Sequence, residues 1–284
     1  MALKLYGVTF STCTSRALSA LYEKGVDFEL VPVNLSVGEH KQPEFLAKNP
    51  FGVIPVLEDD GVSFFGEFRF FGCEIFVYGN VFSTATQRVF ACLHEKNLDY
   101  DFVNVDLSIE EHKQPPHLAR NPFGLVPAFE DGDMKLFESR AITLHVSYAY
   151  QANGTPLMAE DKKMPIQSVW MEVEAHQFEP TTGKLVWEVV FKPMLGMTTD
   201  DEEVVESEKK LEEVLEVYEA RLKESKYLGG ECFTLADLHH LPNIQCLFGT
   251  PLKKHFEARP HVKAWCEDIM ARPAWVKVIQ KLSV

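Results

Sequence analysis

A duplication constrains the fold of this chain more than any other feature of its sequence. Residues 3–61 recur without a gap at residues 75–133, and roughly half of the aligned positions are identical. The offset is 83 − 11 = 72 residues, the separation of Ser11 and Ser83. Two strings occur in both copies: E-H-K-Q-P at 39–43 and 111–115, and N-P-F-G at 49–52 and 121–124. A solenoid needs about three stacked units or more, so two copies indicate a duplicated part of one domain.

The composition is that of an ordinary globular protein, and it excludes several functions. The 284 residues are 46% hydrophobic and 25% charged, which suits about two domains. The formal net charge of −14 argues against nucleic acid or an anionic membrane as a partner, because either requires a basic face. No apolar run approaches about 18–20 residues, so we expect no membrane span. Residues 1–20 also lack the apolar core of a signal peptide.

Cysteine usage predicts a cytoplasmic protein without a metal site. The six cysteines are spread along the chain and include no C-x-x-C pair. They are Cys13, Cys73, Cys92, Cys232, Cys246 and Cys266. Neither a zinc site nor a disulfide framework has this spacing, so we expect reduced thiols in the cytosol.

Each copy has the pattern of a thioredoxin-like domain. Its apolar periodicity predicts a strand, a helix, a strand, a short helix and then a pair of strands. In the second copy a further helix follows, capped by Ser139 and running from Arg140 to about Tyr150. The other predicted elements of that copy are strand Ile75–Tyr78, helix Thr86–Lys96, strand Tyr100–Val105, short helix His117–Arg120, a strand from Val126 and strand Met134–Phe137. The order βαβ followed by ββα is that of the thioredoxin-like α/β fold.

The two copies differ at their ends. In the first copy the string at 66–74 leads straight into the next strand at Ile75, which leaves no room for the last helix. Beyond residue 151 the strand signal vanishes, and Glu202–Lys226 is predicted to form an amphipathic helix. Its predicted apolar stripe is Val205, Leu211, Val214 or Leu215, Tyr218 and Leu222. The predicted domains are a truncated thioredoxin-like repeat at 1–74, a thioredoxin-like domain at 75–150, a linker at 151–164 and an all-α C-terminal domain at 165–284.

Ser83 is the first candidate for chemistry. It follows the first strand of the second copy by a short loop and precedes the predicted helix by about one turn. The positive end of a helix and its free N–H groups stabilise an anion, and helix N-termini lower thiol pKa values from about 8.5. A thiolate is therefore a natural guest, although a serine at a helix start is most often only a cap.

Three further features would join Ser83 in this layout. A cis bond before Pro127 would expose the backbone of Val126 to an extended peptide, whereas the alternative is a plain edge-strand proline. The helix start at Glu138–Ser139 offers groups for a carboxylate and an ammonium, and the loop pair His112–Lys113 offers cationic donors. Together they describe a small extended peptide with a carboxylate at each end, an amine and a central thiol, which is glutathione.

The chain resembles the plant phi-class glutathione S-transferases. The resemblance covers residues 75–284 and is carried by long strings: Y-G-x-x-x-S-x-x-T-x-R-V at 78–89, H-E-K-N-L-D-Y at 94–100, N-P-F-G-x-V-P-A-F-E-D-G-D at 121–133, L-F-E-S-R-A-I at 136–142, M-E-V-E-A-H-Q-F at 171–178 and Y-L-G-G-E-C-F-T-L-A-D-L at 227–238. It implies a thioredoxin-like α/β N-terminal domain and an all-α C-terminal domain. It also implies an enzyme of detoxification and stress response that conjugates reduced glutathione to hydrophobic electrophiles, with glutathione peroxidase as a side activity.

The resemblance implies roles for the residues on the sulfur and glycyl side. Ser83 would hydrogen-bond the glutathione sulfur and keep it ionised, with Thr84 beside it. His112 and Lys113 would meet the glycyl carboxylate. Glutathione would be the co-substrate, with no cofactor and no metal, and the protein would be a homodimer.

The resemblance also assigns the rest of the peptide. Val126, before Pro127, would pair its backbone with the cysteinyl unit, and Glu138 and Ser139 would hold the γ-glutamyl end. Leu125 departs from the family, which often has glutamine there, so its side-chain contact would be lost. Phe123 resembles the aromatic plug that enters the partner subunit in family dimers, with a core phenylalanine as the alternative. The electrophile pocket would be lined by Val81, Phe82, Phe178 and Leu185.

The first copy repeats only half of this set. It keeps Ser11, His40, Lys41 and Pro55, but Gly66 and Glu67 stand where the second copy has its Glu-Ser helix start. Our hypothesis is that the second copy is the working site and that the first is vestigial or accessory. Two alternatives stay open: a non-catalytic ligand carrier (ligandin) on the same fold, and a duplication that is not a genuine feature of the protein, with its phenylalanines at 64–71 an aggregation hazard.

Overall fold

The structure, a computed structural model, describes residues 3–50, 52–65, 75–160 and 162–282. The chain divides into two compact units, residues 1–74 and residues 75–284. Among the described residues, no helix is long and apolar enough to cross a membrane. The predicted features at 66–74 lie outside the described residues.

The first unit is built on a four-stranded sheet. Its strands are β1 (Leu3–Gly7), β2 (Phe28–Pro32), β3 (Val56–Asp59) and β4 (Val62–Phe65), in the order β2-β1-β3-β4. β1 runs parallel to β2 and antiparallel to β3, and β3 pairs antiparallel with β4. Helix α1 (Thr12–Glu23) connects the parallel pair, and two 3-10 turns (Leu35–Val37 and Glu39–Lys41) and α2 (Pro43–Leu46) lead to β3. Leu5, Ala17 and Leu18 form the buried core on the helix side.

The second unit begins with the same arrangement of strands. β5 (Ile75–Gly79), β6 (Asp101–Asn104), β7 (Ala128–Asp131) and β8 (Met134–Phe137) form a sheet in the order β6-β5-β7-β8. Helix α3 (Thr84–Glu95) connects β5 to its parallel neighbour β6, and a 3-10 turn (Glu111–Lys113) and α4 (Pro115–Leu118) precede β7. Helix α5 (Ser139–Ala149) follows β8 and packs on α3. Residues 86–93 of α3 are all buried, because the helix is covered on every side.

The remainder of the second unit is helical in its described residues. Its helices are α6 (Met164–Val173), α7 (Glu179–Val186), α8 (Lys192–Met194), α9 (Asp201–Glu224), α10 (Leu235–Leu238), α11 (Leu241–Phe248), α12 (Lys253–Glu257), α13 (Pro260–Met270) and α14 (Pro273–Lys281). Two π-helical turns, Glu174–Phe178 and Trp187–Phe191, join α6, α7 and α8 into one continuous helix. Such turns are rare and are often found at functional sites.

Several predicted boundaries were wrong by one or two residues. Helix α3 begins at Thr84 rather than Thr86, because Ser83 is itself the N-cap. Helix α5 begins at Ser139 rather than Arg140, and Glu138 is its N-cap. The strand predicted from Val126 begins at Ala128.

The apolar stripe of α9 was placed one residue off at its start. Leu211, Leu215, Tyr218 and Leu222 are buried as the pattern predicts, whereas Val205 is 69% exposed. The position two helical turns before Leu211 is residue 211 − 7 = 204, and Val204 is half-buried there. The prediction for Val205 was therefore wrong.

Candidate active site

The loop that presents Ser83 is fixed from both sides. The N–H of Phe82 donates to Oδ1 of Asn80 at 3.0 Å. Gln87, in the first turns of α3, donates its Nε2 to the carbonyl of Val81 at 2.9 Å. The chain between β5 and α3 is therefore held by its own side chains.

Ser83 caps the N-terminus of α3, next to hydrogen-bond donors that are not engaged in any described hydrogen bond. Its Oγ accepts the N–H of Thr86 at 3.3 Å, which leaves the hydroxyl proton free to donate. The N–H groups of Thr84 and Ala85 have no acceptor among the described hydrogen bonds, as expected for the first turn of a helix. One hydroxyl and two backbone donors at the positive end of a helix form a site for an anion such as a thiolate.

The loop before β7 presents free backbone at Val126. His117 and Asn121 both bind the carbonyl of Leu125, at 2.9 Å from Nε2 and 2.8 Å from Nδ2. The Val126–Pro127 bond is cis, as one of the two sequence alternatives proposed. No described hydrogen bond engages the N–H or C=O of Val126, so both can pair with an extended peptide. Leu125 contributes only backbone here, and its side chain is exposed.

The 3-10 turn Glu111–Lys113 is tied to the N-P-F-G turn. Nζ of Lys113 donates to the carbonyls of Phe123 at 3.2 Å and Gly124 at 2.7 Å, so one of its three protons remains for an anion. Gly124 has a φ of +58°, and a Cβ there would lie 2.8 Å from Cδ of the lysine. Only glycine lets the lysine stem cross this turn. The His112 ring is half-buried beside it.

Glu138 and Ser139 form the start of α5. Glu138 is exposed and has a φ of +68°, a conformation that costs a non-glycine residue about 1–3 kcal/mol. Ser139 is buried, and its Oγ accepts Nη1 of Arg88 at 2.8 Å. The serine hydroxyl proton remains available to a ligand. Strained residues of this kind cluster at binding sites, where the fold holds them in place.

A buried ion cluster fixes this helix start. Arg88 is 1% exposed, and its Nη2 lies 3.2 Å from Glu179 and 3.6 Å from the fully buried Glu174. Arg140 binds both carboxylate oxygens of Glu174, at 2.7 and 2.9 Å. Burial lowers the pKa of Arg88, and the charges of Glu174 and Glu179 oppose that change. Burial alone would also lower the pKa of Arg140, but its hydrogen bond and charge pairing with Glu174 raise it overall.

The expected electrophile pocket needs correction at two residues. Phe178 and Leu185 are completely buried. The Phe178 ring stacks on Tyr218 with centroids 5.9 Å apart and lies tilted against His240 with centroids 4.6 Å apart. They belong to the core of the helical region, where α7 and the π-helical turn before it pack on α9 and on the start of α11. The prediction that they line the pocket was therefore wrong. Val81 is half-buried and Phe82 is 51% exposed, so their place in the pocket stays a prediction.

Sequence reasoning missed the residues that hold the site in shape. Gln87, Arg88, His117 and Asn121 were not singled out, although each bonds a loop or helix start that was. One signal was available: Arg88 is a charged residue within the apolar face of a predicted helix, where it must find a partner. Asn121 also stands before a proline, a position typical of turns. No cluster of three or more His, Cys, Asp or Glu in the described residues could hold a metal.

The fold and the site define a thioredoxin-like domain with a helical partner and an anion site at a helix N-terminus. The chain matches the family described as "Glutathione S-transferase, N-terminal domain" at residues 1–65 and 74–148, and "Glutathione S-transferase, C-terminal domain" at residues 178–273. It belongs to the glutathione S-transferase family.

Individual relatives agree with this assignment. Glutathione S-transferase APIC of Nicotiana tabacum is 60% identical over 207 residues, which are 72% of this chain and 97% of that protein. Glutathione S-transferase F6 of Arabidopsis thaliana is 55% identical over 203 residues, 72% of this chain and 98% of that protein. The crystal structure of glutathione transferase F7 from Populus trichocarpa is similar with a TM-score of 0.71 and 46% identity, covering 72% of this chain and 98% of that one.

Proposed function

We propose that this chain is a plant phi-class glutathione transferase of the cytosol with one complete glutathione site, in residues 75–284. It conjugates the thiolate of glutathione to hydrophobic electrophiles, and a peroxide oxygen is a second target of the same thiolate. The observation that carries this proposal is Ser83, which has a free hydroxyl proton at the start of α3 beside two free backbone N–H groups.

The sulfur chemistry follows from that position. Ser83 donates its hydroxyl hydrogen bond to the sulfur, and the N-terminus of α3 favours the negative charge, so the thiol loses its proton to solvent at lower pH. The thiolate lone pair then forms the new carbon–sulfur bond, and the leaving group departs with the electron pair of the bond that breaks. Ser83 is not consumed, and its role is to hold the nucleophile as an anion.

The remaining groups hold the two ends of the peptide. Val126 pairs its N–H and C=O with the cysteinyl unit, and Lys113 and His112 receive the glycyl carboxylate. The N-terminus of α5 at Ser139 receives the γ-glutamyl carboxylate, and Glu138 receives the ammonium group. A solved relative, glutathione S-transferase-I bound with lactoylglutathione, has 43% identity and a TM-score of 0.69 over 72% of this chain and 98% of that one, which supports a glutathione ligand for this fold.

We infer that residues 1–74 are an incomplete duplicate of the thioredoxin-like domain at 75–150. The two sheets share one strand order, which supports this inference. Only 74 − 65 = 9 residues separate β4 from β5, whereas α5 alone has 11. The division of the second unit into 75–150, a linker at 151–164 and a helical domain at 165–284 remains part of this proposal.

The apolar wall for the electrophile comes from Val81 and Phe82 together with the end of the long helix that contains α7. Glu179 at the start of α7 binds Arg88 of α3, so this helix is anchored beside the helix that Ser83 caps. Beyond that anchor the exposed apolar side chains are Trp187, Met194, Leu195 and Met197. This wall replaces the buried Phe178 and Leu185.

The proposed homodimer joins an exposed plug to a cavity. Phe123 is 66% exposed although it is a large aromatic residue. A cavity of about 630 Å³ opens between the α6–α7 helix and α9, lined by Val173, His176, Gln177, Pro180, Thr181, Lys210, Glu213, Val214, Val217 and Tyr218. We propose that Phe123 of each subunit enters this cavity of the other.

The test compares the two equivalent serines in one assay. We expect Ser83→Ala to lower kcat/KM for conjugation of a chloronitrobenzene by about 10²-fold, the cost of removing one donor to a developing or bound anion. The loss is larger at pH 6 than at pH 9, because the unassisted thiol ionises only at higher pH. Ser11→Ala is the matched control and leaves the rate unchanged. A Ser83→Ala enzyme with full activity at both pH values would refute the proposal.

A further inference from the structure

The first unit repeats the geometry of the thiol side of the candidate site with partly different side chains. Ser11 is the N-cap of α1, and its Oγ accepts the N–H of Thr14 at 3.4 Å. The loop before it is held by Ser15, whose hydroxyl donates to the carbonyl of Thr9 at 2.8 Å. In the second unit Gln87 does this from the equivalent position of its helix. A different side chain therefore holds the equivalent loop in each unit, and the serine has the same position at the helix start.

The free peptide edge is also present in the first unit. The carbonyl of Val53 accepts Nδ2 of Asn49 at 2.7 Å, which fixes the loop. No described hydrogen bond engages the N–H or C=O of Ile54, the residue equivalent to Val126. Tyr6 of β1 pairs with Val56, so Ile54 lies just beyond the end of β1, from which the loop to Ser11 departs. The serine and the free backbone therefore share one edge of the sheet.

The cationic turn is built in the same way. Glu39–Lys41 forms a 3-10 turn, and Gly52 has a φ of +58°, as does Gly124. A Cβ on Gly52 would lie 2.9 Å from Cδ of Lys41 and 2.7 Å from the carbonyl of His40. The lysine stem thus crosses the turn as it does in the second unit, which places a positive charge beside the loop that leads to Ile54.

The sequence of the first copy lacks the residue pair proposed to hold a γ-glutamyl group. At the offset of 72 residues, Gly66 and Glu67 stand at the positions of Glu138 and Ser139. The described residues of the first unit therefore offer groups for a sulfur, a cysteinyl backbone and a C-terminal carboxylate, whereas the Glu-Ser pair for the other end of glutathione is missing from its sequence.

We propose that the first unit is a second ligand site that binds the cysteinyl-glycine half of a thiol peptide at Ser11, Ile54 and the His40–Lys41 turn. It accepts a cysteinyl-glycine dipeptide about as well as glutathione, since its sequence lacks the Glu-Ser pair proposed to bind the γ-glutamyl group. This inference rests on the proposed function for the chemistry of the ligand, and it concerns a separate site.

The experiment is a methyl-NMR titration of the full chain with two blocked probes, S-methylglutathione and S-methylcysteinylglycine. The S-methyl group prevents disulfide exchange with the exposed Cys13. Methyl signals of Ile54 and Val126 report the two sites separately. We expect Ile54 to respond to both probes with similar dissociation constants, whereas Val126 responds to S-methylglutathione at concentrations at least about tenfold lower, the value of one lost charged hydrogen bond.

A variant and two outcomes complete the test. We expect the double substitution His40→Ala with Lys41→Ala to raise the dissociation constants measured at Ile54 about tenfold. The Val126 response and the conjugation rate should not change. Unshifted core methyl signals of Val56 would show that the variant is folded. An Ile54 signal that does not move with either probe would overturn the inference, as would one that prefers S-methylglutathione as strongly as Val126 does. Loss of the Val126 response alone would instead refute the proposed function.

Discussion

The guanidinium of Arg88 connects the two helix starts of the candidate site, because its Nη1 lies 2.8 Å from Oγ of Ser139. Arg88 belongs to the helix that Ser83 caps, and Ser139 begins the helix proposed to hold the other end of the peptide. This buried contact, together with the packing of α5 on α3, fixes the spacing of the two helix starts that are proposed to hold the sulfur and the γ-glutamyl group. A site that binds both ends of a ligand gains affinity from such fixed spacing.

Removal of Arg88 should therefore damage both stability and binding. We expect Arg88→Met to lower the free energy of unfolding by about 3 kcal/mol or more, because it leaves buried carboxylates with fewer partners. Lys184→Met is the matched control: it breaks the exposed Lys184–Glu203 pair and should cost less than about 1 kcal/mol. Urea unfolding measures both, and KM for glutathione should rise only for Arg88→Met. Equal stability losses in the two variants would contradict this account.

The backbone conformation of Glu138 should lower the stability of the fold, whereas its carboxylate should contribute to glutathione binding. Its φ of +68° strains any residue that has a Cβ but not glycine. We therefore expect Glu138→Gly to have an unfolding free energy up to about 1 kcal/mol higher than that of Glu138→Ala. Both variants lose the carboxylate, so both should raise KM for glutathione by about tenfold or more. Thermal unfolding and steady-state kinetics on the pair separate the two effects. A Glu138→Gly protein less stable than Glu138→Ala would show that the backbone is not strained.

Buried histidines should make the protein sensitive to acid. Burial lowers the pKa of His240 to about 3, whereas an unfolded histidine titrates near 6.5. As pH falls below about 6.5 the unfolded chain gains a proton that the folded chain does not bind, so stability is lost down to about pH 3. From pH 6.5 to pH 5 this one group should cost about 2 kcal/mol of unfolding free energy.

The check for that prediction is urea unfolding at pH 7.5, 6 and 5 in the native chain and in His240→Gln. Glutamine retains an acceptor for the hydroxyl of Tyr218, which lies 2.8 Å from Nε2 of His240. The variant should lose less stability between pH 7.5 and 5 than the native chain does. The buried His239, whose pKa burial also lowers, should leave part of the dependence in place. An unchanged pH dependence would contradict the assignment.

Phe123 should control assembly. We expect Phe123→Ser to raise the dissociation constant of the dimer by about 10²-fold, the usual order for an aromatic anchor worth about 3 kcal/mol. Phe82→Ser is a control, because Phe82 is also an exposed phenylalanine of the same unit but lies in the proposed electrophile wall. Analytical ultracentrifugation over a concentration series measures both. A dimer that is unaffected by Phe123→Ser would exclude this residue as the plug.

Much of the fold could be predicted from the local pattern. The order of strands and helices follows from the spacing of apolar residues. Two helix boundaries were wrong because Ser83 and Glu138 cap the helices, and the strand predicted from Val126 begins two residues later. The residues of the electrophile pocket could not be predicted in the same way. Phe178 and Leu185 are apolar residues on a helix, and sequence cannot tell whether such a residue faces a core or a cleft, because helical periodicity gives a face and not its neighbour.

The sequence by itself indicated that one of two copies has too few residues for the last helix, and it predicted which serine, proline and Glu-Ser pair would form a glutathione site. These are properties of residue order and spacing, which the chain carries before it folds. Only the tertiary structure decided what holds those groups in place. Arg88 meets Ser139 across 51 residues, and Glu174 meets Arg140 across 34, because burial forces each charge to find a partner wherever packing has put one.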